Sequence, residues 1–225
     1  RPFSLTASDN PELRNAVNAA LAKRSIDTIY VFSSQMAQYL PAKPRQRVVM
    51  DFVDMDSAKF ATYGKTTRGF TGWMMRREAR MLAQYEKSVA AKADASLFVS
   101  DAEAALFRER TRAERVHAVE NGIDTVKFDP AAQFGQIEAV APLIVFTGQM
   151  DYRPNIEGVV WFAEAVFPHI RLRHPDAQFA IVGRKPDAGG QALAKIDGVT
   201  VTGEVPDVRA WLAAGSVVVG PLEVA

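Results

Sequence analysis

Short apolar, β-branched runs alternate along the chain with longer stretches in which apolar residues recur at helical spacing. Because the short runs are continuously apolar rather than alternating, they predict parallel strands covered by helices on both faces. The predicted strands are residues 28–32, 48–53, 96–99, 116–119, 143–147, 178–182, 199–202 and 216–219. Strands separated by helices favour βαβ units, so the pattern predicts an α/β protein with doubly wound sheets.

Several helices can be placed by their periodicity and their caps. Residues 73–93 predict a helix whose apolar face consists of Met74, Met81, Leu82, Tyr85 and Val89. Ser100 and Glu103 form a capping-box pattern directly after a predicted strand. Residues 156–172 repeat apolar side chains at helical spacing, and Asp207 begins a short helix.

A weakly structured stretch at residues 124–141 separates the two halves. It has few periodic apolar positions and contains an Asp-Pro pair, which is typical of a linker. The length of 225 residues suits two modest α/β domains. We therefore predict one domain at residues 1–130, a linker at 131–141 and a second domain at 142–225.

Composition excludes several classes of protein. The net charge is +1, from 27 basic and 26 acidic residues, which weakens any reading as a general nucleic-acid binder. The absence of cysteine excludes disulfides and thiolate metal sites and fits a reducing compartment. No apolar run approaches the roughly 18 residues of a membrane span. The chain starts at Arg1 inside a polar stretch, so we interpret its start as an internal point.

The first loop with candidate chemistry joins a predicted strand to a long helix. Gly148 at the strand end would let a phosphate approach the backbone, and the following helix start offers N–H groups. Arg153 could add a charge-assisted contact to a diphosphate, and Gln149 and Asn155 lie in the same loop. The alternative is a plain turn with an arginine facing solvent, since one such loop is a weak signal.

Two further loops follow predicted strands in the second half. Gly183, Arg184 and Lys185 combine a strand-end glycine with two cations that suit a nucleoside diphosphate. The loop with Gly203 and Val205 could present backbone N–H and C=O groups to a base edge. Each could also be an ordinary solvated turn. In an open α/β sheet, however, ligands bind outside the carboxyl ends of the strands, where these loops should converge.

Carboxylates mark one strand end in the first half. Asp54-Met55-Asp56 matches the D-x-D pattern of metal-bound nucleotide sugars, but that pattern is common by chance and no further ligands are apparent. A strand-end aspartate is often only a helix cap. A general-base or acceptor-binding role makes Asp54 the candidate catalytic residue, and we predict no metal site. The three histidines form no convincing constellation.

Several motifs resemble known glycosyltransferases. The run Val119-Glu120-Asn121-Gly122-Ile123-Asp124, followed by Phe128-Asp129-Pro130, resembles the end of the acceptor domain in family-four retaining glycosyltransferases. A closer resemblance is to the bacterial sugar transferases associated with exopolysaccharide and PEP-CTERM sorting systems. It rests on residues 30–34, 50–54, 76–80, 147–152, 203–209 and 220–222, whereas residues 98–103 belong to the broader family-four resemblance.

The resemblance implies a GT-B fold of two Rossmann-like domains, with the nucleotide-sugar donor in the second and the acceptor towards the first. It implies sugar transfer with retention, no cofactor and no essential metal, at the cytoplasmic side of the membrane. Many family members place Arg and Lys where this chain has Gln149 and about Asn155, so Arg153, Arg184 or Lys185 would have to compensate. Asp54 stands in the stretch where many members place a histidine.

The resemblance also implies that both domains are incomplete. The family's Glu-x7-Glu motif follows a segment like residues 219–222, and its glycine-rich loop precedes residue 1, so we expect this stretch alone to be inactive. The expected partners are a nucleotide sugar and a glycan or lipid-linked acceptor. Basic residues around the long helix could contact anionic lipid at the inner membrane. A basic helix face that is simply exposed to solvent is the more common interpretation of such a pattern. The alternatives are a GT-B-fold UDP-N-acetylglucosamine 2-epimerase and a non-catalytic nucleotide-sugar-binding module.

Overall fold

The chain divides into two units, Arg1–Gly122 and Ile123–Ala225. A computed structural model describes residues 1–138, 142–186 and 188–222. Each unit is built around its own parallel sheet, so two separate α/β units are present, as the strand and helix rhythm predicts. The linker proposed at 131–141 stays a prediction, and its residues 139–141 lie outside the described residues.

The first unit has a sheet in the order β1-β2-β3-β4, with every pair parallel. Its strands are β1 (Thr28–Phe32), β2 (Arg47–Val53), β3 (Ala95–Phe98) and β4 (Val116–Ala118). Its helices are α1 (Phe3–Ala7), α2 (Pro11–Lys23), α3 (Asp56–Thr66), α4 (Gly69–Ala90) and α5 (Asp101–Thr111), with a 3-10 turn at Ser34–Tyr39. The core contains a ring cluster in which Phe98 lies 5.3 Å from Phe52 and 4.7 Å from Phe107, centroid to centroid.

The second unit has a sheet in the order β7-β6-β5-β8, also parallel throughout. Its strands are β5 (Leu143–Thr147), β6 (Gln178–Val182), β7 (Val199–Gly203) and β8 (Val217–Val218). Its helices are α6 (Arg153–Trp161), α7 (Phe167–Arg173), α8 (Ala188–Ala192) and α9 (Val208–Ala214). A π turn at Phe162–Val166 joins α6 to α7, and a 3-10 turn at Leu193–Lys195 follows α8.

The predicted strands all appear, and β1, β5 and β6 have the predicted bounds. The helix predicted at 156–172 is interrupted by the π turn, directly before Pro168 in the first turn of α7. A proline ring has no N–H and collides with the preceding helical turn, so a widened turn accommodates it. The apolar face predicted for residues 73–93 is wrong at Met74, which is 40% exposed, whereas Leu82 and Val89 are buried.

Two buried glutamates of α4 cap the starts of other helices. Glu78 accepts hydrogen bonds from the backbone N–H groups of Phe3 and Ser4, at 2.7 and 2.8 Å. Glu86 accepts from the N–H of Ser57 at 2.9 Å, in the first turn of α3. Because the first N–H groups of a helix have no partner within it, these carboxylates satisfy them and fix α1 and α3 against α4.

None of the helices in the described ranges has both the length and the apolar character that crossing a membrane requires.

Candidate functional site

The predicted loops of the second unit are joined at the carboxyl edge of its sheet. The N–H of Gly148, after β5, donates to the carbonyl of Val182 at 3.1 Å. The N–H of Met150 donates to the carbonyl of Arg184 at 3.0 Å, and the N–H of Gly183 donates to that of Gly203 at 3.2 Å. The loops after β5, β6 and β7 therefore form one continuous surface, as expected from strand ends in an open sheet.

Gly183 is required here by a contact within the protein. A Cβ at this position would lie 1.7 Å from the carbonyl oxygen of Gly148, and a Cβ on Gly148 would lie 2.8 Å from the side-chain nitrogen of Asn155. The N–H groups of both glycines already donate to carbonyls. These glycines therefore let neighbouring loops pack closely; that they also admit a phosphate to the backbone stays a prediction.

The start of α6 lies beside the Gly148 loop. Asn155, in its first turn, donates from its side chain to the carbonyl of Gln149 at 2.9 Å, which fixes the loop against the helix. Gln149 itself is exposed. A helix start carries partial positive charge and N–H groups that suit an anion. The loop and the helix start thus present a polar surface at the predicted place.

The three candidate cations around these loops differ in their partners. Arg153 pairs with Glu157 on its own helix at 2.7 Å, and Lys185 lies 3.4 Å from the carboxylate of Asp151. Both pairs are exposed, and such pairs contribute little to stability. Arg184 is exposed and has no carboxylate partner in the part of the chain that the structure describes. Arg184 is therefore the candidate cation whose guanidinium is not paired with an acidic side chain among the described residues.

The loop after β7 has its own backbone constraint. Gly203 has a φ of 71°, in the left-handed region that favours glycine. The side chain of Val205 packs against the buried cluster of Leu143, Val145, Ala180 and Val182. Within the described ranges, the backbone N–H and C=O of Val205 take part in no hydrogen bond. Their contact with the edge of a base stays a prediction.

The sheet order adds a feature that sequence reasoning missed. The chain runs from β5 to β6 and β7 on one side and then returns to β8 on the other, so the order reverses between β5 and β8. Ligands of open α/β sheets bind at such a reversal. Gly158 of α6 lies there, since a Cβ on it would be 2.3 Å from the carbonyl oxygen of Pro221. A glycine inside a helical pattern was the available signal for this close approach.

In the first unit, Asp54 follows the carboxyl end of β2. The preceding Val53 has a φ of 66°, a strained conformation for a β-branched residue. The carboxylate of Asp54 is half-buried and has no hydrogen-bond partner among the described residues. Asp56, by contrast, accepts hydrogen bonds from Ser34 at 2.5 Å and from Gln35 at 3.1 Å. Asp54 is thus the strand-end aspartate left open to another group.

Glu103 of α5 joins the same edge of the first sheet. Its carboxylate accepts a hydrogen bond from the N–H of Met55 at 3.0 Å, while its own N–H donates to the hydroxyl of Ser100 at 3.3 Å. Only half of the predicted capping box is therefore present. Burial raises the pKa of Glu103, and the neighbouring carboxylates of Asp54 and Asp56 raise it further. In the described ranges, no three histidine, aspartate or glutamate side chains are placed to hold a metal ion.

Comparison with known proteins shows which proteins have a similar sequence or fold. Residues 141–224 match the family model "Glycosyl transferases group 1". A glycosyltransferase from Rickettsia africae superposes with a TM-score of 0.57 at 12% identity, covering 94% of this chain and 56% of that chain. HepE from Anabaena, in complex with UDP and glucose, gives a TM-score of 0.53 at 15% identity, covering 92% and 55%. The chain has the GT-B fold.

Other comparisons agree with this fold. TarM superposes with a TM-score of 0.60 at 12% identity, covering 90% of this chain and 38% of that chain. The chain spans about half the length of the first two structures, at 56% and 55%. No curated protein sequence matches the chain.

Proposed function

We propose that the chain is part of a retaining glycosyltransferase that moves a sugar from a nucleotide sugar to a glycan or lipid-linked acceptor. The observation that carries this proposal is the joining of the loops after β5, β6 and β7 into one surface beside the start of α6. That surface lies within residues 141–224, which match the glycosyltransferase family model. The GT-B fold is consistent with it.

The donor would bind at the carboxyl edge of the second sheet. In this proposal the diphosphate lies by the start of α6 and the loops of Gly148 and Gly183, with Arg184 as the first cation to reach it. Arg153 and Lys185 can exchange exposed carboxylate partners for phosphate oxygens, because those pairs are weak. The free backbone groups of Val205 suit the edge of the base. Gln149 and Asn155 hold the loop that closes the site.

The chemistry requires stabilisation of charge in two places. As the bond between the anomeric carbon and the diphosphate oxygen breaks, negative charge collects on the leaving diphosphate while positive charge develops on the sugar ring. Fixed cations and a helix start stabilise the leaving group without reorganisation during the reaction. Arg184 and α6 would provide this in place of a metal ion. The acceptor oxygen then forms the new bond to the anomeric carbon, and the hydroxyl proton passes to an oxygen of the leaving diphosphate.

Asp54 is the proposed contact on the acceptor side. Its carboxylate is half-buried and open, so it can accept a hydrogen bond from an acceptor hydroxyl. In this proposal the acceptor belongs to exopolysaccharide synthesis at the cytoplasmic face of the bacterial inner membrane. The resemblance of residues 76–80 and 203–209 to sugar transferases of that kind supports it.

A transfer assay tests this function. The full-length protein that contains this chain is incubated with UDP- and GDP-sugars and an extract of lipid-linked glycans. The release of nucleoside diphosphate and the anomeric configuration of the glycan product are then measured. The proposal predicts diphosphate release that depends on acceptor, an α-linked product from an α-donor, and little turnover by the 225-residue chain alone. Formation of an epimerised sugar in the absence of acceptor would contradict the proposal. So would a full-length protein that binds the nucleotide sugar but does not turn it over.

A further inference from the structure

The first half of α4 exposes an apolar surface that the core does not use. Phe70 is 73% exposed, Trp73 is 50% exposed and Met74 is 40% exposed. The rings of Phe70 and Trp73 stack with their centroids 5.7 Å apart. The spacing of these residues puts them on one helix face, together with Arg77 one turn further on. We call Phe70, Trp73 and Met74, with the cations Arg68, Arg77 and Arg80, the α4 surface.

The α4 surface lies in a strongly basic segment. Residues 57–77 contain no acidic residue and five basic ones, which are Lys59, Lys65, Arg68, Arg76 and Arg77. The acidic residues of α4 itself, Glu78 and Glu86, are both buried and are occupied in capping α1 and α3. The exposed side of α4 therefore carries only cationic charge, although the whole chain has a net charge of +1.

The cations of the α4 surface are not committed to ion pairs. Among the described residues, Arg68, Arg77 and Arg80 have no carboxylate partner. Arg76 differs, because it donates to the carbonyl of Gly64 at 2.7 Å and so joins α4 to α3. Unpaired arginines complement the negative headgroups of an anionic membrane, and exposed aromatic rings complement the apolar layer beneath those headgroups.

We propose that the α4 surface docks on an anionic phospholipid membrane. Phe70, Trp73 and Met74 insert at the boundary between headgroups and acyl chains, where an aromatic ring with a polar edge is favoured. Arg68, Arg77 and Arg80 lie above them and contact lipid phosphates through their flexible stems. The inference rests on exposure and charge in the first unit and does not depend on the transferase activity proposed above.

Vesicle flotation tests this surface. The chain is mixed with vesicles of phosphatidylcholine alone or with a one-third share of phosphatidylglycerol. The proposal predicts co-flotation with the anionic vesicles only, weakened by high salt. Replacing Arg68, Arg77 and Arg80 by Gln should lower the partition coefficient by roughly 100-fold, because each cation near an anionic surface contributes about a fivefold factor. Phe70→Ser with Trp73→Ser should abolish co-flotation.

Matched controls separate docking from general effects of charge or folding. Lys23, Arg24 and Lys43 are exposed cations of the same unit, so replacing all three by Gln removes the same charge elsewhere and should leave most of the binding. Leu172 is 80% exposed in the second unit, and Leu172→Ser should bind as the unchanged chain does. Unchanged circular dichroism in all variants shows that they are folded.

Trp73 itself reports the insertion. In a Trp161→Phe, Trp211→Phe variant, the emission of Trp73 should shift to shorter wavelength on adding anionic vesicles. Equal binding to both vesicle types, equal loss in the Lys23, Arg24 and Lys43 variant, or no emission shift would overturn the proposal. So would a dimer in solution that Phe70→Ser with Trp73→Ser dissociates, since the surface would then serve a second copy of the chain.

Discussion

Among the described residues, two of the four non-glycine residues with a positive φ lie at the strand ends that form the candidate sites. Val53 ends β2 and Lys185 follows β6, with φ angles of 66° and 56°, whereas Ser33 follows β1 and Arg112 follows α5. Left-handed backbone costs an L-residue other than glycine about 1 kcal/mol or more. Such strain persists only where the surrounding structure holds it. Its placement beside Asp54 and Arg184 agrees with a ligand-binding role for these two edges.

At Gly183 the structure makes a direct prediction. Gly183→Ala would bring a Cβ to within 1.7 Å of the carbonyl oxygen of Gly148, so the loops after β5 and β6 must separate. We expect a loss of about 2–4 kcal/mol in the free energy of unfolding, measured by urea denaturation. Gly122→Ala is the matched control, because a Cβ there meets nothing within 4 Å, and it should change stability by less than about 0.5 kcal/mol. Equal effects would contradict the packing described here.

Glu86 makes stability depend on pH. Burial raises its pKa from an ordinary 4.5 to about 7, although two hydrogen bonds from Ser57 oppose this. The folded chain therefore holds this proton more tightly than the unfolded chain does. Its contribution to the free energy of unfolding is highest below pH 4.5 and falls as pH rises to about 7. The size of this fall is about 3 kcal/mol.

The variant Glu86→Gln tests this assignment. A glutamine keeps an acceptor for the N–H of Ser57 but has no proton to lose. We expect the stability of Glu86→Gln relative to the unchanged chain to rise by about 3 kcal/mol between pH 4.5 and pH 8, measured by urea denaturation at several pH values. A difference that stays constant over that range would show that Glu86 is not the group responsible.

At the scale of elements, strands were more predictable than helices. Continuous apolar runs fixed β5 and β6 to the residue, because burial on both faces leaves a plain sequence signal. α1 was not predicted, since its five residues owe their place to Glu78, which is distant in sequence. The π turn before Pro168 and the exposure of Met74 were also missed. Both features depend on how the helices pack in the folded chain, which the spacing of apolar residues in the sequence does not reveal.

Arg209 of α9 fastens the chain that enters the second unit. Its guanidinium contacts both carboxylate oxygens of Asp207, at 2.9 and 2.8 Å, and donates to the carbonyl of Lys127 at 3.0 Å. It also lies 5.1 Å from the ring centroid of Phe134. The Asp207 cap on α9 was predicted, but these long-range contacts were not.

Removal of this side chain should release residues 124–134. In Arg209→Ala we expect their backbone amides to exchange hydrogen several-fold faster, because the stacking and hydrogen-bond contacts are lost, while β5 and β6 keep their protection. Hydrogen exchange followed by mass spectrometry measures this. Arg45→Ala, at an exposed arginine of the first unit, is the control. Uniform acceleration over the second unit would mean that Arg209 supports the whole fold instead.

For the whole molecule, the fold class and the convergence of the candidate loops could be predicted from the sequence, but the hydrogen bonds between those loops could not. Parallel strands place their carboxyl ends on one edge, so the meeting of the Gly148, Gly183 and Gly203 loops could be expected. Which N–H groups of these loops remain free could not be predicted, because the carbonyls that accept from the N–H groups of Gly148 and Gly183 belong to neighbouring strands. The reversal of strand order between β5 and β8 likewise depends on a crossover that local patterns leave open.

A calorimetric titration of the chain with UDP, GDP and ADP tests the placement of the donor site at the carboxyl edge of the second sheet. We predict saturable binding of one nucleotide, weakened about tenfold or more by Arg184→Ala, since a charge-assisted contact to phosphate contributes about 1.5–3 kcal/mol. Arg184 is exposed, so this change should leave the fold intact. Arg45→Ala, at an exposed arginine of the first unit, should bind normally. Nucleotide binding that Arg184→Ala leaves unchanged would contradict the placement of the donor site at this edge.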